Sequence, residues 1–433
     1  MLRKEVSLTF KNRQERLAPA SSKHQIVSLN HSIMIAQDKI AVPFNFLNKI
    51  GSLINKVGIN YPTLTAEAVL EQAAKISGLS DFGEEHYLEG LEALMYSARK
   101  DNINFLGRFL IYSLAVNCAQ SRLQWVEQQK ITPTAFQSDL TPPLIVVGIP
   151  RSGTTIMHRM LNADLANQAI PMWRLVKPFP PTKGKDRRLA QLSQDMKIMD
   201  KLRPQMAFKH ELSPEKPEEC IMVQGLSFNS LLFYASAPVY SYLDWYQSAG
   251  RFKMYEEYAS MLHWYQSQDA RRLVMKSPPH AADLTELLAA VPNALIVQTH
   301  RDPVPVVNSA NSLFHTLHSF QLSPYDPQKM VAANLNQLED IYQKNAQKRA
   351  TLNHNICDVD YKELVKDPIG TTKKVYAHFG LEWTEAYEHA LGQFMRKNPK
   401  DKLGKHSYSA EDFGLTNEGI QERFGQYVPS IMG

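Results

Sequence analysis

The apolar residues of this chain follow two different periods, and the change falls near residue 140. Up to that point the spacing is helical, with few strand signals. Thr65 suits an N-cap, Leu70, Ala73, Ala74 and Ser77 form one stripe, and Gly78 suits a helix stop. A second helix is predicted over roughly His86–Arg99 and a third over Asn104–Val126. Thr132-Pro133-Thr134 and Pro142-Pro143 then interrupt the pattern. The chain thus divides into a helical N-terminal region, 1–140, and a second unit, 141–433.

From residue 144 short apolar runs alternate with helices, the pattern of a parallel α/β sheet flanked by helices. Leu144–Val147, Leu273–Met275, Leu295–Val297 and Ile356–Val359 read as strands. Leu284, Leu287, Leu288 and Val291 fall at i, i+3, i+4 and i+7, one face of a helix packed on that sheet. Gln328–Arg349 reads as a long helix with Leu335, Leu338 and Tyr342 facing inward.

Composition narrows the setting. The three cysteines, Cys118, Cys220 and Cys357, stand far apart and in no CxxC spacing, which argues against a disulfide framework or zinc site. A reducing, cytoplasmic compartment is the expectation. The net charge of +5 suits an anionic small ligand, without the clustered basic face that nucleic acid requires. Met1–Ala41 has no continuous apolar core and does not read as a signal peptide. The longest nearly apolar stretch, Phe109–Cys118, is too short to span a bilayer.

The most informative residues are Gly148-Ile149-Pro150-Arg151-Ser152-Gly153-Thr154-Thr155, directly after the first strand. A Gly-rich turn between a buried strand and a helix gathers free backbone N–H groups, and the helix dipole adds positive potential. Such a nest binds phosphate. The glycines have P-loop spacing, but Thr154 stands where a kinase-type GK(S/T) motif has its Lys, and the cation is Arg151 instead. A kinase needs that Lys and a magnesium ion. A sulfuryl group carries less charge and can manage with Arg or Lys and no metal.

A second anion site is predicted at His300-Arg301-Asp302-Pro303, after the Leu295–Val297 strand. Pro303 and Pro305 suit the first turn of a helix, which puts Arg301 at the strand's carboxyl end and Ser309 on the helix. Ligands of open α/β sheets bind at those ends. A guanidinium and a hydroxyl converging there would clamp a second phosphate.

Together these elements resemble the sulfotransferases that use 3′-phosphoadenosine 5′-phosphosulfate (PAPS). In that family a P-(K/R)-S-G-T-T loop holds the 5′-phosphosulfate, and an Arg with a Ser eight residues on holds the 3′-phosphate. Both patterns match here in order and spacing. The resemblance implies PAPS as cosubstrate, bound by Arg151, Ser152, Gly153, Thr154, Thr155, Arg301 and Ser309, with no metal. Lys276-Ser277-Pro278-Pro279-His280 is similar to the strand-end segment that carries the family's catalytic Lys and His. Tyr361 matches a Tyr near the adenine, and Gly404–Tyr408, with Lys405, resembles the closing loop of the bacterial branch. The likeness covers about residues 141–425, and a helical N-terminus is typical of that branch. The chain departs from the pattern at Ile156, where animal enzymes carry a Trp, and at Pro171–Arg174, where some members place a catalytic Glu.

On this reading Arg151 and Lys276 neutralise charge growing in the transition state, and a base takes the proton of the acceptor hydroxyl or amine. His280 leads the candidates, Glu219 of the Glu218-Glu219 pair comes second, and His210 third. The acceptor is small or lipophilic. Most rings of the aromatic stretch Phe228–Trp264 belong to the core, with some available to line its pocket. The run Lys183–Arg188 reads as a solvated loop. Two other functions compete: a small-molecule kinase with an aberrant P-loop, and a non-catalytic nucleotide-binding protein.

Overall fold

A computed structural model describes residues 46, 48, 49, 51, 61–137, 139–181, 184–202, 204, 206–209, 212–352, 354–398 and 409–428. His210 and Lys405, with the rest of the Gly404–Tyr408 segment, lie outside the described residues.

Among the described residues five parallel strands form the central sheet in the order β2-β3-β1-β4-β5. They are β1 (Leu144–Gly148), β2 (Asn167–Gln168), β3 (Arg272–Lys276), β4 (Leu295–His300) and β5 (Ile356–Asp360). β1 is buried along its whole length, as expected of a parallel strand covered on both faces. On one face Ile145, Val147, Met275 and Ile296 pack against the helices that follow β3 and β4. On the other, Leu144, Val146 and Val297 pack against Met157, Met160 and Leu161 and against Val375 and Tyr376. The strands with their buried faces thus fix where the loops at their carboxyl ends converge.

Before the sheet come α1 (Ala66–Ser77), α2 (Tyr87–Lys100) and α3 (Phe105–Ile131). Thr65 caps α1 by accepting from the Ala68 N–H, and Gly78 ends it with φ 72°. The buried face of α1 is Ala66, Val69 and Ala73, rotated from the predicted stripe. The N-terminal helices share a core with Phe228, Phe233, Tyr234 and Tyr242, which follow the sheet's second strand in sequence. The fully buried Arg122 of α3 donates to Glu257 at 2.7 Å and to the carbonyls of Phe82, Glu84 and Leu226. A buried guanidinium is tolerated when its donors are met this way.

The site is framed by α4 (Thr154–Leu161), α5 (Arg188–Leu202) and α6 (Ile221–Gln224). α7 (Phe252–Gln268), α8 (Leu284–Ala290), α9 (Pro303–His318), α10 (Pro327–Arg349) and α11 (Tyr361–Lys366) follow. The packed face of α8 is Leu284, Leu287 and Leu288, as the spacing predicts, and Val291 just past its end joins the same core. No helix among the described residues is long and apolar enough to cross a membrane.

Candidate active site

β1 ends at the loop that the sequence marks as a candidate phosphate loop, and its path depends on two glycines. Gly148 (φ 145°) and Gly153 (φ 101°) lie in the left-handed region open to glycine. A Cβ at Gly148 would sit 2.6 Å from the Thr299 carbonyl, and one at Gly153 2.7 Å from the Tyr361 ring. Arg151 also has positive φ, at 72°, which turns its side chain out of the strand direction. Gly153 then starts α4, so the N–H groups of its first turn open toward the loop.

The two neighbouring strands deliver cations to the same place. Val146 of β1 is in register with Lys276, the last residue of β3. Lys276 is fully buried, and its Nζ donates to Glu219 Oε1 at 2.7 Å, with Glu218 Oε1 and Thr155 Oγ1 both at 3.5 Å. Burial alone would lower the ammonium's pKa, but Glu219 and Glu218 outweigh it and hold it above its ordinary value. The Cys220 N–H, bonded to the Lys276 carbonyl at 2.9 Å, keeps both carboxylates beside the strand end. Glu218 also accepts from the Glu219 N–H at 3.0 Å.

On the other side His300 of β4 pairs in register with Asp360 of β5, so the next residues, Arg301 and Tyr361, emerge together. The Arg301 guanidinium lies 4.2 Å over the Tyr361 ring, and its Nη1 donates to the Arg151 carbonyl at 2.9 Å. Arg151 Nε donates to Ser309 Oγ on α9 at 2.9 Å. The two arginines therefore brace each other and the loop.

Two cavities meet at these arginines. The larger, about 940 Å³, is lined by Gly153, Thr154, Thr155, Glu218, Glu219 and Tyr361 at one end. Its wall is apolar: Phe109, Leu110 and Leu114 of α3, Leu192, Ile198 and Met199 of α5, and Leu313, Phe314 and Leu317 of α9. The smaller, about 510 Å³, is lined by Asn308, Ser309, Ser409 and Glu411 among others. Arg151 and Arg301 line both.

Most of the expected site residues come together here, but two are placed otherwise. Ser152 is fully buried, its hydroxyl paired with Thr299 Oγ1 at 2.7 Å and its N–H with the Ile149 carbonyl, so it braces the loop from beneath. His280 is fully buried and is not among the described residues that line either cavity. Its Nδ1 meets the Tyr255 hydroxyl at 2.8 Å and its Nε2 the Cys220 thiol at 3.2 Å. Burial pushes its pKa down to about 3, so the imidazole is neutral. The ring is thus enclosed by tyrosines and a thiol, apart from both cavities. Of the Glu218-Glu219 pair, Glu218 is buried, and both carboxylates face Lys276. Sequence reasoning missed the contribution of α3, because a helix face lining an apolar cavity has the same pattern as one lining a core. None of the rings from Phe228 to Trp264 is among the described lining residues; Leu231, Leu232 and Ala235 serve from that stretch.

A parallel sheet with a glycine-shaped loop at the end of its central strand, and an arginine just past the end of the next, offers an anion site of the kind that group-transfer enzymes use. A model of the sulfotransferase family matches residues 142–385. The chain belongs to that family and is a sulfotransferase, so the kinase and non-catalytic readings fall away. Two curated relatives are the omega-hydroxy-beta-dihydromenaquinone-9 sulfotransferases Stf3 of Mycobacterium bovis and Mycobacterium tuberculosis. Each is 25% identical over 301 residues, 66% of this chain and 75% of the relative. Among solved structures, sulfotransferase STF9 from Mycobacterium avium aligns with a TM-score of 0.78 and 25% identity, covering 86% of this chain and 97% of that one. Sulfotransferase STF1 from Mycobacterium tuberculosis aligns with a TM-score of 0.70 and 29% identity, covering 84% and 98%.

Proposed function

We propose that this enzyme transfers the sulfuryl group of PAPS to a hydroxyl of a lipophilic acceptor, with Glu219 as general base. The observation that carries the reading is the Lys276–Glu219 pair, 2.7 Å apart, at the end of an apolar cavity that opens onto the phosphate loop. The residues fit the donor: a glycine-shaped loop for the phosphosulfate, and Arg301 with Ser309 on the second cavity for the 3′-phosphate. The lipophilic lining supports an apolar acceptor, and the curated relatives are named for a hydroxylated menaquinone, which points the same way.

In the reaction the acceptor oxygen attacks sulfur while its proton passes to Glu219. The bond from sulfur to the bridging oxygen breaks, and Lys276 and Arg151 meet the charge that grows there. Glu219 keeps about a quarter of its side chain exposed, whereas Glu218 is buried. The first can therefore reach an acceptor, and the second fixes Glu219 and Lys276. Turnover of PAPS against primary alcohols of increasing chain length, held in neutral detergent, tests the acceptor class. Efficiency should climb with chain length; preference for sugars or short phenols would reject it.

A further inference from the structure

The chain's net charge is concentrated in one place. Between residues 183 and 209 there are eight Lys and Arg against three Asp, a surplus of +5, equal to that of all 433 residues. This stretch contains α5, which rims the large cavity. Of its cations, Arg188 pairs with Asp186 and Lys209 turns inward to Ser312 and Thr316. Lys185, Arg187, Lys197 and Lys201 are exposed.

Among those cations lies apolar surface. Ile198 of α5 is 47% exposed and Phe109 of α3 is 41% exposed, yet both line the cavity, which places them at its lip. α5 is seated lightly, with Leu192 and Leu202 its buried residues, and Met199 and Leu202 touch the apolar cluster of Leu106, Leu110 and Phe320. An exposed ring of α3 beside an exposed branched side chain of α5, with the lysines of α5 around the latter, matches a bilayer interface: the apolar groups enter the acyl boundary while the ammonium groups meet anionic headgroups.

We propose that α5 and its flanks dock this enzyme on an anionic phospholipid bilayer, so that the acceptor passes past Phe109 and Ile198 into the cavity. The proposal rests on the lipophilic acceptor of the preceding section, because such a molecule resides in lipid and must leave it to reach Glu219. Each exposed cation contributes favourably near a negative surface, and the attraction falls within a Debye length as salt is raised.

Flotation of the full chain with phosphatidylcholine vesicles, with and without phosphatidylglycerol, tests it without any acceptor. Binding should need phosphatidylglycerol and be released by high salt. Joint replacement Lys185→Gln, Arg187→Gln, Lys197→Gln and Lys201→Gln should weaken partition by at least about tenfold. The same variant should keep its turnover of a long-chain alcohol in neutral detergent, which also shows that it is folded. Phe109→Ser with Ile198→Ser should leave vesicle capture easier to reverse with salt. Absence of anionic-vesicle binding alongside normal turnover in detergent would overturn the docking and leave the acceptor class standing. Equal binding to soluble polyphosphate, with vesicle partition untouched by the four substitutions, would overturn it too. Vesicle binding that the four substitutions abolish, in an enzyme that turns over no long-chain alcohol, would support the docking surface and overturn the acceptor class.

Discussion

Arg151 Nε donates to the Ser309 hydroxyl at 2.9 Å and so joins the phosphate loop to the helix after β4, across 158 positions of sequence. The bond puts one guanidinium on the wall shared by both cavities, with Arg301 bonded to the same residue's carbonyl. A donor with phosphates at both ends would be read by one connected unit. Arg301→Ala should therefore weaken binding of 3′-phosphoadenosine 5′-phosphate by about 2–5 kcal/mol. It should cost a nucleotide lacking the 3′-phosphate much less. Calorimetric titration of both nucleotides checks this, and equal losses would reject the assignment of Arg301.

Glu219, the proposed proton acceptor, is separable from the buried imidazole beneath it. Glu219→Gln should lower kcat by about 10²–10⁴-fold with nucleotide affinity nearly unchanged. Lys276→Ala should also act on kcat. His280→Gln should keep the shape of the pH–rate profile, since the ring reaches the reaction only through Cys220 and the strand end. If His280→Gln removes the acidic limb while Glu219→Gln leaves turnover intact, the assignment is reversed.

The loop's shape is testable through one methyl group. Gly153→Ala combines a φ of 101° with a Cβ 2.7 Å from Tyr361, and the neighbour is a ring stacked under Arg301. Strain of roughly 1–3 kcal/mol is expected. It should appear as a lower melting temperature together with loss of nucleotide binding. A variant that binds normally would show that the loop relaxes without moving Tyr361.

Acid should weaken the fold through two buried histidines. His158 and His280 are both held down to about 3 from the ordinary 6.5, by burial in each case and, for His158, also by the Lys276 charge. The unfolded chain binds these protons below about pH 6.5, whereas the folded chain binds them only near pH 3. The stabilisation is thus complete above 6.5 and declines as pH falls from there toward 3. Each histidine adds up to about 1.4 kcal/mol per pH unit across that window. Urea midpoints should drop between pH 7 and pH 5, and His280→Gln should flatten the slope; a flat wild-type profile would contradict it.

What the sequence disclosed follows from how local each signal is. β1, β3, β4 and β5 were legible because apolar runs bounded by turns announce buried strands, but their polar ends were not. Lys276 and Gln298-Thr299-His300 are strand residues that face the site or its neighbours. β2 is two polar residues, Asn167 and Gln168, and carries no apolar signal at all. The glycine loop, Arg301 and Ser309 were readable as spacings along the chain, and Tyr361 only through the resemblance to the family. The choice between His280 and Glu219 was not, because it depends on which side chain the packing of α6 and α7 encloses. The stripe on α1 was misplaced for a similar reason: small residues such as Ala66 and Ala73 pack against α3, while Leu70 stays at the edge.

The long helix α3 belongs in sequence to the N-terminal region, yet it walls the cavity that the phosphate loop opens into. On the proposed reading, donor handling and acceptor choice are therefore written in separate stretches of the chain. Exchanging Phe109, Leu110 and Leu114 reshapes what can enter without disturbing any residue that grips the nucleotide. Relatives could diversify, or be re-engineered, by turning over one helix face while the sulfuryl-transfer machinery stays fixed.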